Sequence, residues 1–212
     1  MTTPPITRQI QADTDTPALC RKLAQLLAVW QNVEAGKNPV WQELSRATSP
    51  MSTDELRKRL GNLEGSVNSW LTSLRQFDLI DTRTRIGHDR FHDINQGTVQ
   101  VIRDFVKTLW PASDPHDAIR TTIEKCQAIG HKSGLPFALW TTITAEPHAS
   151  GQAATAVGCS PGEASKALGK LVDCGLAHAP IHKGQFRIYR GIDGLTFLQD
   201  AGKLVEAGII KL

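Results

Sequence analysis

The sequence is short of the features that would commit it to a secreted, zinc-bound or membrane setting. Its four cysteines, Cys20, Cys126, Cys159 and Cys174, lie far apart and form no C-x-x-C pair. That excludes a disulfide framework and a zinc-finger spacing, and suits a reduced compartment. The longest apolar stretch, LAQLLAVW at 23–30, falls well short of the ~20 residues that span a bilayer. The opening MTTPPITRQIQADTDTP has neither the basic nor the apolar region of a signal peptide. A cytoplasmic protein with no membrane partner is expected. Charge of one sign is scarce as well: 24 Lys and Arg against 21 Asp and Glu leave +3. So mild an excess permits a nucleic-acid partner without requiring one, and the placement of the cations has to decide. P-loop, dinucleotide-binding G-x-G-x-x-G and H-E-x-x-H patterns are absent, so neither an enzyme nor a cofactor is expected.

What is present is helical periodicity, interrupted twice by a change of period. Residues 1–15, with Pro4 and Pro5, read as a flexible arm. Thr16-Pro17 reads as N-cap and first helical residue of a helix to about Val33, with Leu19, Leu23, Leu26, Leu27 and Trp30 apolar. A short helix is expected from Pro39. Ser52 and Glu55 then match a capping box, and Gly61 closes the helix they begin. Val67, Trp70, Leu71, Leu74 and Phe77 recur at helical spacing. From Asp78 the period falls to 2, and LIDTRTRI and RFHDI around a glycine-containing turn predict a β-hairpin. Helical spacing returns over 97–110.

PASDPHD at 111–117, with two prolines, is the expected linker between domains at 16–110 and 118–212. Beyond it, helices are predicted at about 116–129, 136–145 and 150–157. A second capping box, Ser160 to Glu163 with Pro161 at the first position, opens another helix. The hairpin LAHAPIHKGQFRIYR and a final helix near 194–207 complete the chain.

The second helix-to-hairpin passage repeats the first. Laying 61–90 against 158–187, an offset of 97, matches seven pairs without gaps: Gly61/Gly158, Gly65/Gly162, Leu71/Leu168, Leu74/Leu171, Leu79/Leu176, Gly87/Gly184 and Arg90/Arg187. Average composition would give about two. The matches fall on the turn before the helix, its core leucines, the first strand residue and the hairpin turn, as expected of two copies of one module.

Helix, short helix, turn, longer helix and hairpin is the order of a winged helix-turn-helix. MSTDELRKRLGNLEGSVNSWLTSLRQFDLI with RTRIGHDRF, and AVGCSPGEASKALGKLVDCGLA with IHKGQFRIYR, resemble the prokaryotic winged helix-turn-helix regulators, among them the multiple-antibiotic-resistance and arsenic-responsive repressors. The second copy carries the cleaner pattern, with a capped helix, L-x-x-L-x-x-x-G-L and a basic hairpin. The resemblance implies a mainly α protein with small β-hairpins, an α+β chain of two winged-helix domains in tandem that binds double-stranded DNA and regulates transcription at the nucleoid.

A helix entering the major groove needs a filled inner face and a short, polar outer face. For the first recognition helix, at 63–77, those outward residues are Asn62, Glu64, Ser66, Asn68, Ser69 and Thr72, with Arg57, Lys58 and Arg59 beside it. For the second, at 160–173, they are Ser160, Ser165, Lys166, Gly169 and Lys170. The wing at 79–94 adds Arg83, Arg85, His88 and Arg90, and the wing at 176–190 adds His182, Lys183, Gln185, Arg187 and Arg190. Hairpin cations of this kind track phosphates or enter the minor groove, but also guard edge strands against aggregation.

Other readings stay open at this level. A plasmid-type replication initiator also joins two winged helices, and tandem winged helices occur as protein-interaction modules, which would present acidic or apolar faces instead. Helices 17–33 and 97–110 are candidates for pairing two copies into a homodimer. His88 and His92 in GHDRFHD lie too far apart along a hairpin to converge on a metal. Cys159 before a helix N-terminus is read as a turn or core residue, and the five tryptophans as core.

Overall fold

A computed structural model describes residues 15–84, 90–109, 114–183 and 186–212. The first half of the chain runs α1 (Thr16–Glu34), α2 (Pro39–Arg46), β1 (Met51–Ser52) and α3 (Thr53–Leu60). After a 3-10 turn at Gly61–Leu63 come α4 (Glu64–Gln76), β2 (Ile80–Thr84), β3 (Arg90–Ile94) and α5 (Gln96–Thr108). The second half repeats that order: α6 (Pro115–Ile129), α7 (Leu135–Ala145), β4 (His148–Ala149), α8 (Ser150–Val157), α9 (Pro161–Asp173), β5 (Ala177–Lys183), β6 (Phe186–Gly191) and α10 (Phe197–Glu206). The protein is therefore mainly helical with two small antiparallel sheets, ordered β1-β3-β2 and β4-β6-β5. The edge strands β1 and β4 have only two residues each, too short for a periodic signal to predict them. Among the described residues no helix is long and apolar enough to cross a membrane.

The offset of 97 holds in hydrogen bonds as well as in sequence. Met51 pairs with His92 and His148 with Tyr189, each partner displaced by 97. Leaving α4, the Leu79 N–H donates to the Leu74 carbonyl at 3.0 Å, and leaving α9, Leu176 donates to Leu171 at 2.8 Å. Both turns need a left-handed residue, Asp78 at φ 51 and Gly175 at φ 73. Asp is one of the few side chains that tolerate this region. The copies differ in their hairpins. β2 and β3 keep one register from Ile80↔Ile94 to Thr84↔Arg90. The register of β5 and β6 slips between His178 and Ile181, where Pro180 cannot donate to a ladder and a bulge is the usual solution.

The two halves share one hydrophobic core. α1 buries Leu19, Leu23, Leu26, Trp30 and Val33 along one line and Cys20, Ala24 and Leu27 along the next. An apolar arc that wide has to meet two neighbours, its own half and α6. The pairing is antiparallel. Arg21 Nη1 donates to the Gly130 carbonyl at 3.3 Å, while Trp30 and Glu34 at the other end of α1 line a cavity of about 340 Å³ with Pro115, His116 and Ile119. α5 likewise packs against α10, with Val101 and Leu204 lining one flanking cavity and Thr108 and Phe197 another.

Two expectations change here. Of the linker predicted at 111–117, residues 115–117 form the first turn of α6, because Asp114 caps His116 and Asp117 at 2.8 and 3.2 Å with Pro115 at the first position. Residues 111–113 lie outside the described residues. The helices expected to join two copies into a homodimer are already engaged within the chain: α1 lies on α6 and α5 on α10, so those apolar faces are covered intramolecularly. Of the tryptophans, Trp30 and Trp140 are buried and Trp41 and Trp70 pack partly buried against the core, while Trp110 lies outside the described residues.

Candidate nucleic-acid interface

α9 owes its orientation to Ala164, Ala167, Leu168 and Leu171, all buried. Their spacing turns Gly162, Lys166 and Gly169 outward along one line, flanked by Ser165 and Lys170. Lys166, Ser165 and Lys170 are exposed as expected. At neither Gly162 nor Gly169 would a Cβ meet anything within 4 Å. Internal packing therefore does not require either glycine, although mid-helix Gly169 costs about 0.5–1 kcal/mol relative to alanine. The outer line of α9 is bare backbone with one cation in its middle.

Ser160 is exposed and forms the cap that its spacing predicts. Its hydroxyl caps the Glu163 N–H at 3.3 Å and donates to Glu163 Oε2 at 2.7 Å. The same carboxylate oxygen accepts from the Ser160 N–H at 3.1 Å, and these bonds hold Glu163 below the usual carboxylate range. The hydroxyl is committed to the helix start, and a carboxylate stands where an incoming phosphate would meet the dipole. The run Gly158-Cys159-Ser160-Pro161-Gly162 also has the G-x-S-x-G spacing of a nucleophile elbow. Here it joins helix to helix instead of strand to helix, and its serine serves as a cap.

α4 buries Val67, Leu71 and Leu74 and turns Asn68, Ser69 and Thr72 to solvent, with Ser66 half-buried. Position for position, at the offset of 97, it matches α9, with Ser69 where α9 has Lys166 and Thr72 where it has Gly169. Asn68, Ser69 and Thr72 make that stretch of the outer face polar and uncharged. Unlike α9, α4 starts at Leu63 without a side-chain cap, and Leu63 is 45% exposed.

The hairpins carry the cations. Arg83 and Arg90 of the first, and Arg187 and Arg190 of the second, are exposed. Together with Lys58, Lys166 and Lys170, none of them has a carboxylate within ion-pair distance among the described residues. Arg57 differs: it pairs with Asp54 of its own helix at 3.0 Å, so its charge is already answered. His178 was not singled out in sequence, yet it is exposed and opposite Arg190 across β5 and β6. Its alternation with apolar neighbours was the available signal. Arg85, His88 and Gln185 lie outside the described residues, and for His182 and Lys183 only the backbone is described.

His92 is the exception in the first hairpin, a buried polar residue only 1% exposed. Its Nε2 lies 3.0 Å from Thr53 Oγ1 and its Nδ1 3.0 Å from Thr82 Oγ1. Burial, with Arg75 and Arg90 nearby, lowers its pKa from 6.5 to about 4. The imidazole is neutral and structural, tying β2 and β3 to the start of α3. Among the described residues no three His, Cys, Asp or Glu side chains gather in a metal-binding group. Cys159 is half-buried against the core.

Compared with known protein families, with curated proteins and with solved structures, the chain matches none.

Proposed function

We propose that this protein is a sequence-specific double-stranded DNA-binding protein of tandem winged-helix type, acting as a transcriptional regulator, with α4 and α9 as recognition helices and the two hairpins as wings. The observation that carries the reading is the placement of unanswered cations. Arg83, Arg90, Arg187, Arg190, Lys166 and Lys170 stand exposed and unpaired among the described residues, on the hairpins and on one helix face whose inner side is filled. A solvated scaffold surface normally intersperses charges of both signs, as α3, α5, α6 and α10 do here with their internal ion pairs. Phosphates are the partner that a row of unpaired Arg and Lys on a short hairpin fits best. The unbranched, glycine-flanked outer line of α9 adds support, since bare backbone allows a helix to sit close to a groove floor.

The test is a salt titration of binding to a random-sequence duplex. Log K should fall linearly with log salt, with a slope near −0.9 for each phosphate neutralised. Failure to bind any duplex at low salt would sink the reading.

A further inference from the structure

The helices that hold the two halves together are equivalent helices. α1 opens the first copy and α6 the second. Each is capped by an aspartate, Asp15 or Asp114, with a proline in the first turn, and each leads into a helix, α2 or α7, that also has a proline in its first turn. These two pack antiparallel on one another. α5 and α10 each follow the hairpin of their copy, and they too pack antiparallel. Pairs of equivalent elements meeting antiparallel are the mark of an isologous arrangement, in which a two-fold axis passes through each contact. A head-to-tail tandem would instead set α1 against an element of a different kind.

The recognition helices obey the same relation. Near its C-terminal end α4 touches α1 through Gln76 Nε2 and Gln25 Oε1 at 3.1 Å. The equivalent end of α9, at Asp173, borders a cavity with Glu124 and Gln127 of α6. Both helices thus approach the first helix of their own copy by the same end.

We infer that one chain acts as its own dimer and recognises an inverted repeat with two unequal half-sites. This rests on the DNA-binding reading above. B-DNA has two-fold axes perpendicular to its length, so a protein with an internal dyad contacts it through both equivalent helices only when the half-sites run in opposite senses, one helical turn or ~34 Å apart. The inequality follows from the outer lines of the helices. Lys166 in α9 suits the O6 and N7 acceptors of guanine, whereas α4 offers Asn68, suited to adenine, and the exposed Leu63, suited to a thymine methyl. The palindrome is therefore imperfect, with a G·C-containing half under α9 and an A·T-richer half under α4.

Selection from a random duplex pool with the full chain, followed by native mass measurement of the complex, tests this. The expected result is an enriched site of two inverted, dissimilar halves with one chain per duplex, and K166A should relax base preference in one half only. Recovery of a direct repeat, or of a single half-site, would overturn the internal dyad while leaving DNA binding intact. No enrichment together with no binding to any duplex at low salt would overturn both.

Discussion

The Nε2 of His92 lies 3.0 Å from the hydroxyl of Thr53, 39 positions earlier in the chain. With Thr82 on its other nitrogen, this side chain clamps the first hairpin to the helix pair it belongs to. The equivalent position in the second half, 92 + 97, is Tyr189, also buried. One copy thus fills the site with an imidazole and the other with a phenol ring.

Stability should therefore depend on pH in the acid range through His92. Its pKa is about 4 in the folded protein against 6.5 ordinarily, so the unfolded chain binds the proton more readily. The contribution is fully present above pH 6.5, declines as pH falls towards 4, and amounts to about 3 kcal/mol in total. Urea unfolding at pH 7, 5 and 4 should show this loss in the native protein. In His92→Gln, which keeps a hydrogen-bonding side chain without a titrating ring, that part of the slope should vanish; equal slopes would assign the acid sensitivity to other groups.

Gly191 and Thr144 are in tighter contact. A Cβ on Gly191 would lie 2.8 Å from the Thr144 Cα, and the Thr144 hydroxyl is buried without a hydrogen-bond partner among the described residues. At the equivalent places the first half has Ile94 and Ala47, both partly buried against the core, so the larger side chain has changed sides. Gly191→Ala should cost ~2 kcal/mol or more by overpacking, and the double variant Gly191→Ala with Thr144→Ala should recover part of it. A melting temperature unchanged by the single substitution would contradict the contact.

Cys20 and Cys126 meet across α1 and α6. Burial, then the Cys20 thiol beside it, holds the Cys126 thiol well above its ordinary range. Neither should react with a thiol reagent until the two halves separate. Labelling rates measured against urea concentration should rise with global unfolding for both residues; rapid labelling of Cys126 in native buffer would mean that α1 and α6 part readily.

Lys166→Ala and Arg187→Ala should each weaken duplex binding, and Arg187→Ala, on the wing, should also reduce the salt slope by about 0.9. Arg57→Ala, whose charge is paired with Asp54, should change the slope little. Equal affinity for the native protein and both second-copy variants would remove that copy from the interface.

Gly169→Ala should stabilise the fold by about 0.5–1 kcal/mol, since its Cβ meets nothing. Gly169→Leu should weaken duplex binding without destabilising the fold. Undiminished binding by the leucine variant would remove close backbone approach from the account of α9.

Most helices were readable from local signals alone. The caps at Ser52 and Ser160 form as their spacing predicts, and the left-handed glycines Gly61 and Gly158 end α3 and α8. The 97-residue repeat extends to the strand registers. These features depend on neighbours within a few residues, or on comparing the chain with itself. The pairing of Arg57 with Asp54 could not be read in advance, because outward-facing polar residues look alike in sequence, whether they are free or bound to the next turn of their own helix.

Sequence by itself determined the helices and the two hairpins, their order, their duplication and the outward faces of α4 and α9, because periodicity and capping are local physics. The tertiary structure alone decided where α1 and α5 spend their apolar surface. A hydrophobic stripe states that a helix must be covered, and it is silent on whether a second chain or the other half of the same chain covers it. Here the partner is the equivalent helix, 97-residue repeat against 97-residue repeat, because linking two copies in one chain lets them associate without the entropy cost of bringing separate molecules together.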